Sequence, residues 1–246
     1  MHTSINKRAV VMGATSGMGR LVALGLLGRG WTIGIAGRRT DELLALQQTA
    51  PERVYVRTID VTHDDAPQLL RQLIDEMGGM DLYFHSSGFG RQNTELDSAI
   101  ENSTVMTNAF GFTQMVDAAF QYFRQTRRRG RIAVISSIAG TKGLGAAPAY
   151  SATKRFQWTY IEALAQLARM EGLDIRFTDL RPGFVRTDFI AGKNYPMQLT
   201  PGSVVGHILS DIEKGRRVRT IDWRYRLLCF FWRLLPQWAW ERMKIR

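Results

Sequence analysis

Short apolar runs alternate with longer amphipathic stretches along most of this chain. Strand-like runs fall at 8–12, 32–36, 54–59, 81–86, 131–136, 174–179 and 217–221. Between them, apolar residues recur at helical spacing at about 17–29, 40–49, 65–77, 103–125, 150–171 and 202–214. This alternation predicts an α/β fold with a single doubly wound parallel sheet and helices on both faces. Right-handed crossovers then place ligands in the crevice at the C-terminal ends of the strands.

The first strand runs into Gly13-Ala-Thr-Ser-Gly17-Met-Gly19, and a helical pattern follows. Strand, glycine-rich turn and helix, in that order, suit a dinucleotide phosphate. The glycines permit the tight turn and the close approach of a pyrophosphate. The helix N-terminus offers unpaired N–H groups and partial positive charge. The spacing is G-x-x-x-G-x-G. Candidate contacts are Gly13, Thr15, Ser16, Gly17, Met18 and Gly19.

A second constellation is Ala149-Tyr-Ser-Ala-Thr-Lys154. The spacing Y-x-x-x-K sets Tyr150 and Lys154 on one helix face, about one turn apart. A phenol titrates near 10 when unperturbed, and a neighbouring ammonium favours the phenolate and lowers that value. Such a pair can pass a proton to or from an alcohol or carbonyl oxygen.

Together these segments resemble the short-chain dehydrogenase/reductase family, over about Arg8 to Ile221. The resemblance implies a Rossmann-type sheet and a catalytic set of Asn108, Ser137, Tyr150 and Lys154. Asn108 lies in Met106-Thr-Asn-Ala-Phe-Gly111, and Ser137, thirteen residues before Tyr150, in Val134-Ile-Ser-Ser-Ile-Ala-Gly140. The resemblance gives Asp60 and Val61 to the adenine ring. It gives Pro182, Gly183, Val185 and Thr187 to the nicotinamide side. Two places depart from the family pattern. Met12 stands where Thr usually precedes the glycine motif. His85-Ser-Ser-Gly88 replaces Asn-Asn-Ala-Gly, so Gly88 keeps the close backbone approach while the bracing of the sheet changes. His85 reads better as a hydrogen-bonded strand-end histidine than as a catalytic one.

The second strand ends in Arg38-Arg39, and the first acid after it is Asp41. An NAD site uses an acid there for the ribose hydroxyls, whereas NADP needs a cation for its extra phosphate. Arg38, with Arg39 in reserve, therefore points to NADP, because a guanidinium grips phosphate with two bonds. The resemblance then implies hydride transfer between NADP(H) and a carbonyl carbon. Tyr150 would act as the acid, Ser137 would hold the oxygen, Lys154 would lower the tyrosine pKa, and Asn108 would anchor a relay water. No metal site is assigned.

Composition changes the picture mainly at the C-terminus. The 246 residues suit one α/β domain, taken as 1–221. One cysteine, Cys229, excludes an internal disulfide and fits a reducing compartment. The N-terminus has no apolar h-region, and no apolar run reaches the roughly 20 residues of a membrane span. These readings imply a cytoplasmic protein. The net charge is +11, and residues 214–246 hold ten Lys/Arg against two Asp/Glu. Four of the six tryptophans follow Asp222. Residues 222–246 therefore read as a separate basic aromatic tail, kinked at Pro236. It suits peripheral contact with an anionic membrane, or packing on the body or on another subunit. No nucleic acid is expected. The cluster Arg124–Arg131 reads as a solvated loop.

The function expected is an NADP-dependent oxidoreductase that interconverts a carbonyl and a secondary alcohol. The alternative is a catalytically silent NADP-binding sensor or scaffold, which would need only the binding half of these residues. Sugar-nucleotide epimerases share the cofactor site but usually carry a longer substrate lobe, and only Phe184–Thr200 is available here. Phe89–Thr94, Ile138–Pro148 and Phe184–Thr200 are expected to line the pocket. Phe89, Leu144, Phe184, Phe189, Ile190 and Tyr195 would make it apolar. The family resemblance implies a homodimer or homotetramer.

Overall fold

A computed structural model describes residues 7–187 and 195–245. Its strands are β1 (Arg8–Met12), β2 (Thr32–Gly37), β3 (Val54–Thr58), β4 (Leu82–His85), β5 (Gly130–Ile135), β6 (Ile175–Arg181) and β7 (Val218–Thr220). They form one parallel sheet in the order β3-β2-β1-β4-β5-β6-β7. The strand order reverses between β1 and β4, which opens the crevice at their C-terminal ends.

The helices are α1 (Gly17–Leu27), α2 (Thr40–Gln47), α3 (Ala66–Glu76), α4 (Ser98–Val105), α5 (Phe112–Thr126), α6 (Pro148–Met170), α7 (Pro201–Lys214), α8 (Trp223–Leu234) and α9 (Gln237–Trp240). Side chains alternate across the pleat and divide the core in two. Ala9 and Val11 of β1 join Leu82 and Phe84 of β4 under α1, α7 and α8. Val10, Met12 and Tyr83 face the other way, beneath α3, α5 and α6. Both faces of the central strands are therefore buried, which is why these strands read as unbroken apolar runs.

The helix expected over 103–125 is instead a compound element. It begins at Ser98, where Asp97 caps α4 by accepting from Ala99 N at 2.8 Å. A π-helical turn over Met106–Gly111 then leads into α5. The polar run Ser-Ala-Ile-Glu-Asn-Ser-Thr lacks an apolar stripe, so hydrophobic periodicity missed α4. The π turn has no periodicity signature of its own.

Pro236 separates α8 from α9 and supplies the first carbonyl of α9. The segment after Asp222 divides by residue. Tyr225, Cys229 and Trp240 are buried against the body. Trp240 Nε1 donates to the Gly143 carbonyl at 2.7 Å, and Lys142 Nζ donates to the Leu235 carbonyl at 2.9 Å. Other aromatics of the same segment face outward. Within Arg124–Arg131, Arg124 pairs with Glu171 and Arg129 with Asp174.

Candidate active site

A cavity of about 1060 Å³ lies along the C-terminal ends of β1, β4, β5 and β6. Gly13, Thr15, Ser16, Gly17, Met18, Arg38, Arg39, Asp60, Val61, Gly88, Ser137, Tyr150, Lys154, Pro182, Gly183, Val185 and Thr187 line it together. Topology thus gathers residues from seven separate segments. Gly19 and Asn108 stand just behind the wall.

The cofactor end is built on backbone. Gly13 adopts φ +87°, and a Cβ there would come within 2.7 Å of Ser87 N. Only glycine lets the first turn close against the end of β4. Ser16 precedes α1 without a side-chain cap, and the first turn of α1 contains no acid. Its N–H groups thus stay available to an anion. Arg39 Nη2 donates to Thr15 Oγ1 at 2.8 Å, which ties the basic pair to the glycine turn. Burial raises the Asp60 pKa, but hydrogen bonds from Thr62 and the nearby Arg38 outweigh it, so the carboxyl titrates below its usual value. An exposed cation pair, a bare helix N-terminus and an ionised Asp60 fit a dinucleotide carrying an additional phosphate.

The chemical end is built on α6 and β5. Tyr150 and Ser137 share a hydrogen bond. Ser137 is extended, and its Oγ also accepts from Ala139 N at 3.1 Å, in the short 3₁₀ turn after β5. Lys154 is 4% exposed; its Nζ lies 5.6 Å from the centre of the Tyr150 ring. Burial pushes the Lys154 ammonium down to about 8, partly opposed by Asp179. Burial also pushes the Tyr150 phenol up to about 12, opposed by the Ser137 hydrogen bond. Removal from water sets the direction of the Tyr150 shift, opposite to that expected from Lys154 alone. At neutral pH Tyr150 carries its proton, as a proton donor must.

Asn108 sits in the π turn and is fully buried. Its Oδ1 accepts from Phe89 N at 2.8 Å, while Nδ2 donates to Phe89 O at 2.6 Å and to Thr153 Oγ1 at 3.2 Å. Both amide hydrogens are thus spent on clamping the Phe89 loop to α6, and one lone pair of Oδ1 remains for a relay water. The widened turn also frees the Asn108 carbonyl, which accepts from Gln157 Nε2 at 2.9 Å. Gln157 Oε1 in turn accepts from Lys154 Nζ at 3.0 Å.

Sequence reasoning missed Gln157, although it lies one turn beyond Lys154 on the same helix face. It also missed Asp179, an acid inside the apolar run of β6. Asp179 is 1% exposed, bonds Ser136 Oγ, and pairs with Arg181 at 2.6 Å. Trp158 Nε1 donates to Ser136 at 3.0 Å, and the Arg181 guanidinium lies 3.6 Å from a Trp158 ring centre. This buried network sets the floor under Ser137 and Lys154.

His85 ends β4 fully buried, while its neighbours Ser86 and Ser87 line the cavity. Nδ1 shares a 2.9 Å hydrogen bond with Tyr83 Oη, and the ring meets Phe112 edge-on. Burial and the nearby Lys154 charge push its pKa down to about 3. His85 is accordingly neutral and braces the sheet where the family pattern places asparagine.

Gly90, Arg91, Gln92, Ile138, Ala139, Leu144, Ala146, Ala147, Phe184, Tyr195, Pro196 and Met197 line the substrate end. Phe89 does not; its backbone serves Asn108 instead. Phe189 and Ile190 lie outside the described residues. Phe184 stacks on Tyr195 with ring centres 4.0 Å apart. Tyr225, Leu228, Trp232 and Ile245 complete this end of the cavity, so the C-terminal segment forms part of its wall. Tyr225 Oη accepts from Phe184 N at 3.2 Å and donates to the Met197 carbonyl at 3.0 Å. A Cβ on Gly183 would enter the Tyr225 ring, so glycine is what lets α8 seat here.

A profile described as short chain dehydrogenase matches residues 7–197. The chain belongs to the short-chain dehydrogenase/reductase family, whose cofactors are NAD and NADP. It is 36% identical over 197 residues to an uncharacterized oxidoreductase of Myxococcus xanthus, covering 78% of this chain and 77% of that one. A 3-ketodihydrosphingosine reductase of Bacteroides thetaiotaomicron is 32% identical over 189 residues, 75% of this chain and 66% of that protein. Among solved structures, ElxO with NADP bound superposes with a TM-score of 0.80 at 21% identity, covering 91% of this chain and all of that one.

Proposed function

We propose that this protein is an NADP(H)-preferring oxidoreductase that interconverts a carbonyl and a secondary alcohol on a hydrophobic substrate. The observation that carries the reading is the Tyr150–Ser137 hydrogen bond, in one cavity with the glycine turn and the Arg38–Arg39 pair. A sensor would need only the latter two. NADP bound to ElxO and the 3-ketodihydrosphingosine reductase among the relatives agree with this choice of cofactor and an apolar substrate.

Reduced nicotinamide, when bound, supplies the hydride taken up by the carbonyl carbon. Tyr150 gives its phenolic proton to the oxygen as charge develops there, and Ser137 donates a second hydrogen bond to that oxygen. Lys154 would hold the nicotinamide ribose and offset the negative charge left on Tyr150. Gln157 and Asn108 fix Lys154 and the Phe89 loop. Arg38 would hold the additional phosphate, Asp60 and Val61 the adenine, and Thr187 the nicotinamide amide. The oxidative direction uses the same groups in reverse. We further place the protein in the cytoplasm as a homodimer or homotetramer, with residues 222–246 touching an anionic membrane.

The test is a screen of NADPH and NADH oxidation with short and long-chain ketones. Turnover with NADPH and an apolar ketone is expected. Tight NADPH binding without turnover of any carbonyl would leave the sensor reading in its place.

A further inference from the structure

Helix α8 is apolar on two opposite sides. At about 100° per residue, Tyr225, Leu228, Cys229 and Trp232 fall on one side and face the body. Trp223, Leu227, Phe230, Phe231 and Leu234 fall on the other side, and Trp238 of α9 extends that row. These six residues are 49–65% exposed. An ordinary surface helix carries charge there. A contiguous exposed row of large apolar side chains marks an interaction surface.

The charges around the row identify its occupant. Arg226 and Arg233 flank it along one edge of α8, and Arg242 and Lys244 follow α9. Neither Arg226 nor Arg233 makes an ion pair among the described residues. Of the two acids in this segment, Asp222 is bound to Arg224 at 2.8 Å, and Glu241 accepts from Gln237 Nε2 at 2.8 Å and makes no ion pair among the described residues. A second copy of the chain would bring the same arginines against these. An anionic bilayer would meet them with opposite charge, receive tryptophan at headgroup depth and take phenylalanine and leucine below it.

We propose that the outward face of α8 and α9 docks this protein on an anionic bilayer and thereby sets one wall of the cavity against lipid. Leu228 and Trp232 line the cavity from the inner side of the same helix. One helix thickness therefore separates the membrane from the substrate end, and a lipophilic carbonyl compound enters beside α8 without crossing water. The substrate route rests on the reductase reading; the docking face does not.

Truncation at Asp222 is a poor test, because it also removes Tyr225 and Cys229 from the core. Two surface variants of the full chain serve instead: Phe230→Glu with Phe231→Glu, and Arg226→Glu with Arg233→Glu. Co-sedimentation with phosphatidylcholine vesicles, with and without phosphatidylserine, reads the docking. Wild type is expected to sediment with the phosphatidylserine vesicles, and less so as salt rises. Each variant should lose about tenfold or more in partitioning while keeping NADPH binding and turnover of a short, water-soluble ketone. Wild type left in the supernatant, or variants that sediment like wild type, would overturn the proposal. So would a fall in oligomeric state caused by the phenylalanine variant, which would make the face a contact between copies. Vesicle binding with no carbonyl turnover would uphold the docking face and remove the reductase reading.

Discussion

The two ends of the cavity are built on different principles. The cofactor end is largely a backbone construction: a positive-φ glycine, bare helix N–H groups and the C-terminal ends of β1 to β4. The substrate end is a side-chain construction, assembled from Leu144, Phe184, Tyr195, Tyr225 and Trp232 over some ninety positions of chain. Backbone sites tolerate little change and bind one shape. Side-chain walls can be rebuilt without disturbing the sheet. Under the proposed function, specificity would reside with α8 and the Phe184 loop, and the chemistry between the two ends would belong to Ser137, Tyr150 and Lys154.

The sharpest break between binding and chemistry is Tyr150→Phe. Turnover should fall by about two to four orders of magnitude, the usual contribution of a general acid, while NADPH affinity stays within a few-fold. Steady-state rates and a cofactor titration read both. Near-normal turnover with every active substrate would take Tyr150 out of the mechanism.

Acid should destabilise the fold through His85. His85 has a depressed folded-state pKa, so below about 6.5 the unfolded chain binds a proton that the folded chain refuses. Its stabilising contribution is complete above that pH and is lost as pH falls toward about 3. The loss should reach about 2 kcal/mol by pH 5 and at most about 4–5 kcal/mol at the acid limit. Denaturant unfolding at pH 7 and pH 5 measures it, with His85→Asn as the non-titrating control. An unchanged pH slope in that variant would clear His85 of the effect.

Arg38→Ala should weaken NADPH more than NADH by about 1.5–3 kcal/mol, the worth of a hydrogen bond to a charged group. Equal losses for both cofactors, or a wild type that prefers NADH, would remove Arg38 from phosphate recognition.

A smaller effect should separate the ends most cleanly. Tyr225→Phe removes the partner of Phe184 N and should cost about 1 kcal/mol in stability. It should raise KM for apolar substrates while leaving NADPH affinity untouched. Parallel changes in both constants would mean that the two ends are coupled through Gly183.

The fold was legible because period-two and period-3.6 patterns report burial directly. All seven strands lie where the apolar runs place them, to within a residue or two. Polar α4 escaped for the same reason: it starts at the Asp97 cap and carries no apolar stripe. Most residues grouped by motif line one cavity, and Gly19 and Asn108 lie outside its lining. Phe89 was misplaced because its side chain cannot be aimed from sequence, and here its backbone is committed to Asn108.

By itself, the sequence determined the parallel sheet, the glycine turn, the order of Asn108, Ser137, Tyr150 and Lys154, and the two arginines after β2. Local geometry at strand ends and helix starts requires particular residues there, so identity reveals role. Only the tertiary structure decided the Gln157 and Asp179 supports, the neutral bracing of His85, and the raised rather than lowered pKa of Tyr150. It also decided which face of α8 is wall and which is surface. These depend on what lies across the cavity and on how much water remains, and neither is written into the neighbouring residues.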